Sequence, residues 1–258
     1  MSFNLPTRLM VQLAIVASFF IGWEVFVLLR IYPEVLLPRP ITVLNEVLRI
    51  VTTGRYLDHF VYTASTFASG LCLGSVTGLL FGMLMAELRY VRGLALPYIL
   101  MVAAIPKSIF IPIILKFLGD VFVMKIAYIS IFSFIFVSLN VLSGLRTLTA
   151  DYLSMVKTFG ATRKTQVYRK LLWPAAYFSF LASLRTATLY SLVGAIVGDL
   201  LYSPGIGYIV SALSHSLRTS TLYGVIMIVA LIAITINFVL LRIEGKARMK
   251  LRLVEVTA

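Results

Sequence analysis

The chain has 258 residues, of which 60% are hydrophobic and only 13% are charged, yet its formal net charge is +13. A soluble domain of this length could not bury so much apolar surface. Several apolar stretches are long enough to cross a bilayer. The cations are therefore better explained as residues in the cytosolic loops of a membrane protein than as part of a surface that binds nucleic acid.

Long apolar stretches predict an all-α integral membrane protein with six transmembrane helices in a single domain, residues 1–258. Each stretch has roughly the 20 residues that a helix needs to cross the hydrocarbon core of a bilayer. The stretches cover about residues 9–29, 60–86, 94–117, 122–145, 175–201 and 222–243.

Cations set the predicted orientation of these spans. The 146–173 connection carries six cations and a single acid, Asp151, and the segment from residue 242 onward carries five more cations. With six spans, these two regions fall on the same side of the membrane. The positive-inside rule places that side, and with it both termini, in the cytosol.

The connection between the first two spans predicts a short helix on the outer side. Its apolar residues recur at the spacing of one helical face, at Leu44, Val47, Leu48 and Val51. Such a helix either lies along the membrane interface or packs on the bundle.

Glycine recurs at every fourth position of the second span, at Gly70, Gly74, Gly78 and Gly82. Residues at this spacing share one helix face, and small residues there let a second helix approach closely. The pattern fits packing within one subunit as well as an interface between subunits.

The charged residues Lys107 and Asp199 are candidates for the transport pathway. Lys107 follows Pro106 near the middle of the third span, which Pro97, Pro106 and Pro112 are expected to break. A cation at that depth is costly and usually faces a cavity or a counter-charge, and Pro106 frees backbone carbonyls that protein or water must satisfy. Lys107 is therefore expected to meet an anionic substrate, to pair with a carboxylate, or to snorkel to a surface.

The carboxylates considered as partners of Lys107 are Asp199 and Glu24. Asp199 lies near the outer end of the fifth span and precedes the Gly205-Ile206-Gly207-Tyr208 turn. It is expected either at an outer gate or binding-protein contact, with Gly205 and Gly207, or as an ordinary cap at the water boundary.

The sequence has no constellation typical of an enzyme or a metal site. Histidine occurs only at His59 and His215 and cysteine only at Cys72, so one chain offers no ligand cluster for a metal. No GxxxxGK[ST] motif is present, so this chain does not bind ATP through a P-loop. Transport is therefore expected rather than catalysis, since a membrane enzyme would need clustered carboxylates or histidines.

The segment DYLSMVKTFGATRKTQVYRKLLWPAA, residues 151–176, is basic and yet predicts ordered structure. A helix is predicted to begin at Asp151, a good N-cap, and to end at Gly160, which suits the left-handed position after a helix. One face of that helix is apolar, with Tyr152, Met155, Val156 and Phe159. Positive-inside charge alone would not require such a face, so a partner is expected, either anionic lipid or protein.

This segment resembles the cytosolic EAA loop of the permeases of binding-protein-dependent ABC importers. SMVKTFGA, residues 154–161, occupies the E-A-A-x-x-x-G-A positions, and LLWPAA occupies the closing LLPAA. Ser154, Met155 and Val156 stand where the family has Glu-Ala-Ala.

Further motifs resemble the same family in chain order. LLPRPITVLNEV resembles the family's LPSPxxVL, and AAIPKSIFIPIILKFLG resembles PIPKxALxPLxxLWFG. LNVLSGLR resembles LNTLAGLR, and VGDLLYSPGIGYIV resembles VAEMLGSSSGLGYLI. Together they point to the subfamily that imports sulfonates, taurine, nitrate, bicarbonate and thiamine-related pyrimidines.

The resemblance implies a type I ABC importer permease fold and a cytosolic coupling loop whose first helix docks on a separate ATPase subunit. It assigns this coupling role to Asp151, Tyr152, Ser154, Met155, Val156, Phe159, Gly160, Ala161 and Arg163. A rigid helix joined to the fifth span through Pro174 could transmit a change made by the ATPase.

The resemblance also implies the rest of the assembly. The partners would be two ATPase subunits, which bind ATP and Mg, a second copy of the permease, and a periplasmic or lipid-anchored binding protein that delivers a small anionic solute. The location would be the bacterial cytoplasmic membrane. A secondary transporter or channel that acts alone is the alternative, and it would show internal hydropathy symmetry. The solute, and whether the two permease copies are identical, are left open by the sequence.

Overall fold

The computed structural model describes residues 5–158, 173–202 and 204–256. These residues form α-helices and no strand, as the all-α prediction requires. The helices are α1 (Leu5–Leu28), α2 (Pro40–Thr53), α3 (Leu57–Glu87), α4 (Arg89–Ala104), α5 (Phe110–Leu118), α6 (Val121–Thr158), α7 (Trp173–Leu201), α8 (Ile206–His215) and α9 (Thr219–Val256), with a 3₁₀ turn at Lys107–Ile109.

Within the described part of the chain, four helices are long and apolar enough to cross a membrane. Their apolar parts are Leu57–Glu87, Val121–Arg146, Ala176–Leu201 and Thr219–Lys246. A fifth crossing exists if α4 and the Lys107–Leu118 segment are one bent span. The described apolar part of α1, Leu13–Leu28, is shorter, so the sixth crossing stays a prediction.

The predicted third span is broken at one of its three prolines. α4 ends at Ala104, and the segment from Lys107 onward is turned by 93° relative to it. Pro106 forms this break because it has no N–H and its own ψ of 120° is not helical. Pro112 lies in the first turn of α5, where proline is tolerated, and Pro97 lies inside α4 without ending it.

The fourth span continues as one helix beyond its predicted end at residue 145. α6 runs from Val121 to Thr158, so Asp151 lies inside a helix and does not begin one. The prediction of a separate helix capped by Asp151 is therefore wrong. Residues 145–158 contain neither glycine nor proline, and several are strong helix formers, so nothing local stops the helix.

Contacts divide the chain into two compact units, Met1–Leu57 with Tyr208–Leu231, and Asp58–Gly207 with Ile232–Ala258. In the first unit, the Trp23 indole N–H donates to the Pro38 carbonyl at 3.1 Å, and its ring lies 5.9 Å from the Tyr223 ring. Glu24 forms an ion pair with Arg39 at 3.0 Å. These contacts join α1 to the start of α2 and to α9.

α2 forms the predicted helix, and most of its predicted apolar stripe is exposed. It begins at Pro40 and ends before Gly54, whose positive φ of 64° suits glycine. Val43 and Ile50 are buried, whereas Leu44 and Leu48 of the predicted stripe are exposed. An exposed apolar stripe on a short helix is compatible with the membrane interface.

The four glycines of α3 pack against α6 of the same chain. All four are buried, and a Cβ added at Gly74 would lie 2.3 Å from the Ser130 carbonyl oxygen. A Cβ at Gly78 or Gly82 would come within 3.0 Å of a carbonyl of α6 in the same way. The two backbones are therefore too close to accept a side chain between them.

Candidate functional site

Lys107 is positioned by the break in the third span. It is the first residue of the 3₁₀ turn that follows Pro106, and its carbonyl accepts a bond from the N–H of Phe110. The helix direction therefore changes at this turn, and the half-buried Lys107 side chain lies at the change of direction. Broken spans tolerate such irregular backbone only where protein or water satisfies it.

The Lys107 ammonium lies among three aromatic rings. Its Nζ atom is 5.1 Å from the centre of the Phe136 ring, 5.3 Å from that of Tyr190 and 5.7 Å from that of Phe132. Phe136 and Tyr190 stack on each other, with centres 4.3 Å apart and planes 6° from parallel. Each ring face attracts the cation through its quadrupole.

The predicted ion pairs of Lys107 do not form. Asp199 pairs with Lys125, and Glu24 pairs with Arg39. Among the residues that the structure describes, no carboxylate lies within ion-pair distance of the Lys107 ammonium, which also has no hydrogen-bond acceptor there. Aromatic rings stand where a counter-ion was expected.

Lys125, another cation of the same unit, forms a buried ion pair with Asp199. Its Nζ atom lies 2.7 Å from Asp199 Oδ1, and the two side chains are 1% and 0% exposed. This contact is an ion pair outside hydrogen-bond geometry. The ammonium donates instead to the carbonyls of Tyr202 and Pro204, at 2.9 and 2.6 Å, and lies 4.8 Å from the centre of the Tyr62 ring.

Asp199 also ties α7 to α3. Its Oδ2 atom accepts a bond from the Thr63 hydroxyl at 2.5 Å, and that hydroxyl accepts the N–H of Ile206 at 2.9 Å. The N–H of Gly205 donates to His59 Nδ1 at 3.2 Å. The turn between α7 and α8 is therefore bound to both α3 and α6 by side chains that are largely buried.

Glycine is required at Gly205 of this turn and at Gly207 in the first turn of α8. Gly205 has a φ of 148°, and a Cβ added there would lie 2.1 Å from the Asp199 carboxyl carbon. A Cβ on Gly207 would lie 2.2 Å from the carbonyl oxygen of Ile196. The structure thus brings Asp199, Gly205 and Gly207 together, and the fully buried carboxylate is not an ordinary cap at the water boundary.

Sequence reasoning missed Lys125. It stands alone in the apolar run VFVMKIAYIS, where the rule that singled out Lys107 applies equally. The cost of an unpaired cation there predicts a partner, and Asp199 is the acid of the fifth predicted span. Choosing between Lys107 and Lys125 as its partner needs the packing of α6 on α7.

The structure describes some of the predicted coupling residues. Asp151, Tyr152, Ser154, Met155 and Val156 lie on the last two turns of α6. Phe159, Gly160, Ala161 and Arg163 lie outside the described residues. α7 begins at Trp173, with Pro174 in its first turn, where proline needs no N–H partner.

A cavity of about 850 Å³ in the first unit has a different character. Its lining includes Phe19, Trp23, Phe26 and Met227, and it includes no charged side chain. Such a lining suits hydrocarbon better than a charged solute.

The family described as "Binding-protein-dependent transport system inner membrane component" matches residues 78–246, more than half of the chain. The formylaminopyrimidine transport permease protein ThiX of Halalkalibacterium halodurans is 27% identical over 200 residues, which cover 77% of this chain and 79% of the relative. The taurine transport system permease protein TauC of Escherichia coli K12 is 23% identical over 217 residues, or 82% and 78% of the two chains.

A solved structure agrees on the fold. The inward-facing MetNI methionine ABC transporter contains a chain that superposes with a TM-score of 0.64 at 18% identity, covering 76% of this chain and 97% of the other. The apolar helices, the family match and this shared fold agree with the motifs read from the sequence. The chain belongs to the binding-protein-dependent transport system inner membrane component family, and it is a multi-pass ABC importer permease with the type I fold.

Proposed function

We propose that this chain forms the membrane pathway of an ATP-driven importer for a small anionic solute, which an external binding protein delivers. The solute's negative charge is inferred from Lys107. This cation has no carboxylate partner among the described residues although it lies at the break of a span. The relatives ThiX and TauC of this chain are named for formylaminopyrimidine and taurine transport, which supports the proposal of a small organic solute.

The proposed topology has six spans, both termini in the cytosol and a single transmembrane domain. The basic 146–173 segment and the basic residues after residue 241 support this orientation, because cations collect on the cytosolic side. The membrane would be the bacterial cytoplasmic membrane. The complex would contain two ATPase subunits, two permease copies and one periplasmic or lipid-anchored binding protein.

Coupling to the ATPase is proposed to run through residues 151–173. α6 continues to Thr158, past the end of its apolar part at Arg146, so residues 151–158 belong to the same helix as a membrane span. A continuous helix supports coupling because it transmits displacement at one end to the other. ATP and Mg would be bound and ATP hydrolysed by the partner subunit, since the sequence has no P-loop.

The test is uptake by the complex reconstituted in vesicles with its ATPase and binding protein. Uptake should require ATP, and Met155→Asp with Phe159→Asp should abolish it, because an unpaired charge buried in the docking face costs more than the about 1–3 kcal/mol of an unpaired polar group. Lys157→Asp is the matched control, because at about 100° per residue position 157 lies on the opposite side of the predicted helix from Met155 and Phe159.

Two results would contradict this function. Uptake that proceeds without ATP would identify a secondary transporter or channel. Undiminished assembly and ATP-driven uptake in the double variant would remove the coupling assignment.

A further inference from the structure

The Lys107 ammonium has no counter-charge among its described contacts. Its described contacts are three ring faces at 5.1 to 5.7 Å. Ring faces attract a cation through their quadrupole, but they occupy none of its N–H donors in a directed bond to an oxygen. The donors of Lys107 are therefore available to an incoming acceptor, whereas Lys125 donates to two carbonyls and lies against a carboxylate.

The rings beside Lys107 offer a second kind of contact. Phe136 comes from α6 and Tyr190 from α7, and the two rings form a parallel stack. Tyr190 is 47% exposed, so part of its surface remains free to contact another group. An apolar or aromatic body next to the stack would gain contact area while its charged group meets the ammonium.

The backbone under Lys107 is suited to a site. The residue lies on the 3₁₀ turn between two helices bent by 93°, and its ring contacts come from two further helices. Interrupted spans are where transporters place their binding groups, because freed backbone groups and side chains converge there. One ammonium neutralises one negative charge, which favours a monoanion.

We propose that Lys107, Phe136 and Tyr190 form a subsite within the spans that binds a small organic monoanion, a carboxylate or sulfonate on an apolar or aromatic body. The subsite rests on the proposed import function and names the class of solute. The ammonium binds the anionic oxygens, and the stacked rings contact the body.

The probe is benzenesulfonate, titrated calorimetrically against the purified complex in nanodiscs of zwitterionic lipid. Lys107→Gln should weaken its binding by about tenfold or more, the equivalent of one charge-assisted bond. Lys116→Gln, an exposed lysine of the same broken span, should bind as the wild type does. Benzyl alcohol, the same ring without the charge, should not bind measurably.

Two further arms keep the test decisive. Tyr190→Leu should weaken benzenesulfonate binding and Tyr190→Phe should not, which separates the ring from its hydroxyl even if Lys107→Gln fails to fold. Nanodiscs that contain phosphatidylglycerol should leave binding unchanged. Loss of binding there would assign the site to a lipid headgroup and overturn the proposal.

The subsite and the import function fail in different ways. Equal binding by Lys107→Gln and Lys116→Gln, beside intact ATP-driven uptake in the wild type, would overturn the subsite alone. Binding that depends on Lys107, in a wild-type complex without ATP-driven uptake, would overturn the import function and leave the anion site standing.

Discussion

Lys107 and Lys125 both interrupt apolar stretches of the same compact unit, but their ammonium groups meet different neighbours. Lys125 is 1% exposed and lies against a carboxylate and two carbonyls. Lys107 is half-buried and lies against three aromatic rings. A cation that is fully satisfied holds the fold together, whereas a cation that retains free donors is available for a ligand.

The difference has an energetic basis. Burying an ion pair is expensive, and its net contribution to stability is small, but removal of one partner leaves an uncompensated charge. Lys125 and Asp199 are thus strongly coupled, and the turn between α7 and α8 depends on them. Lys107 has no such partner among the described residues, so its removal leaves no buried charge behind.

Lys125→Met should have the largest effect on stability, because it leaves Asp199 buried without a cation. We expect a loss of about 3–5 kcal/mol of unfolding free energy, measured by thermal unfolding of the complex in nanodiscs. Adding Asp199→Asn should restore most of the loss. If Lys125→Met alone were as stable as Lys116→Met, the buried Asp199 carboxylate would not depend on Lys125 for its stability.

Gly205→Ala should be the next most damaging change, since its Cβ would collide with the Asp199 carboxylate and its φ of 148° is unfavourable for alanine. We expect a destabilisation of about 1–3 kcal/mol from backbone strain, with the displacement of the ion pair in addition. Gly93→Ala is the matched control, because nothing lies within 4 Å of the added carbon and alanine favours a helix. Equal unfolding temperatures for both variants would argue against a rigid turn.

Thr63→Val should remove one donor to Asp199 and one acceptor for the Ile206 N–H. Leaving such buried groups unsatisfied costs about 1–3 kcal/mol, so a moderate drop in thermal stability is expected. Thr77→Val, which loses only bonds to carbonyls of its own helix, should be nearly neutral. If the two valine variants behave alike, the Thr63 hydroxyl does not support the ion pair.

Lys107→Met should have the smallest effect on stability and a large effect on uptake. The lost ring contacts are worth about 0.5–2 kcal/mol, and no carboxylate among the described residues is left unpaired. Solute uptake in vesicles should fall strongly while ATPase assembly is retained. Lys107→Arg should be partly active, because charge survives but the compact ammonium does not. Normal uptake by Lys107→Met would show that Lys107 does not bind the solute, and the proposed difference in role from Lys125 would be lost.

Several features could be predicted because they depend on neighbouring residues. Proline at 106 breaks the third span, and glycine at every fourth position of α3 produces a face without side chains. The order of motifs also led to the family. Local pattern failed at Asp151, where a favourable cap residue was outweighed by a run of helix formers that continues α6.

Composition and local spacing by themselves determined that this is a helical membrane protein with a broken third span, a glycine face and a basic loop. Only the tertiary structure decided that Asp199 pairs with Lys125 and that Lys107 lies against Phe136 and Tyr190. The rule that a cation within a span needs a partner applies to both lysines and cannot choose between them. Which partner each one receives depends on the faces that α6 and α7 turn toward each other, and those faces are set by packing between residues far apart in the chain.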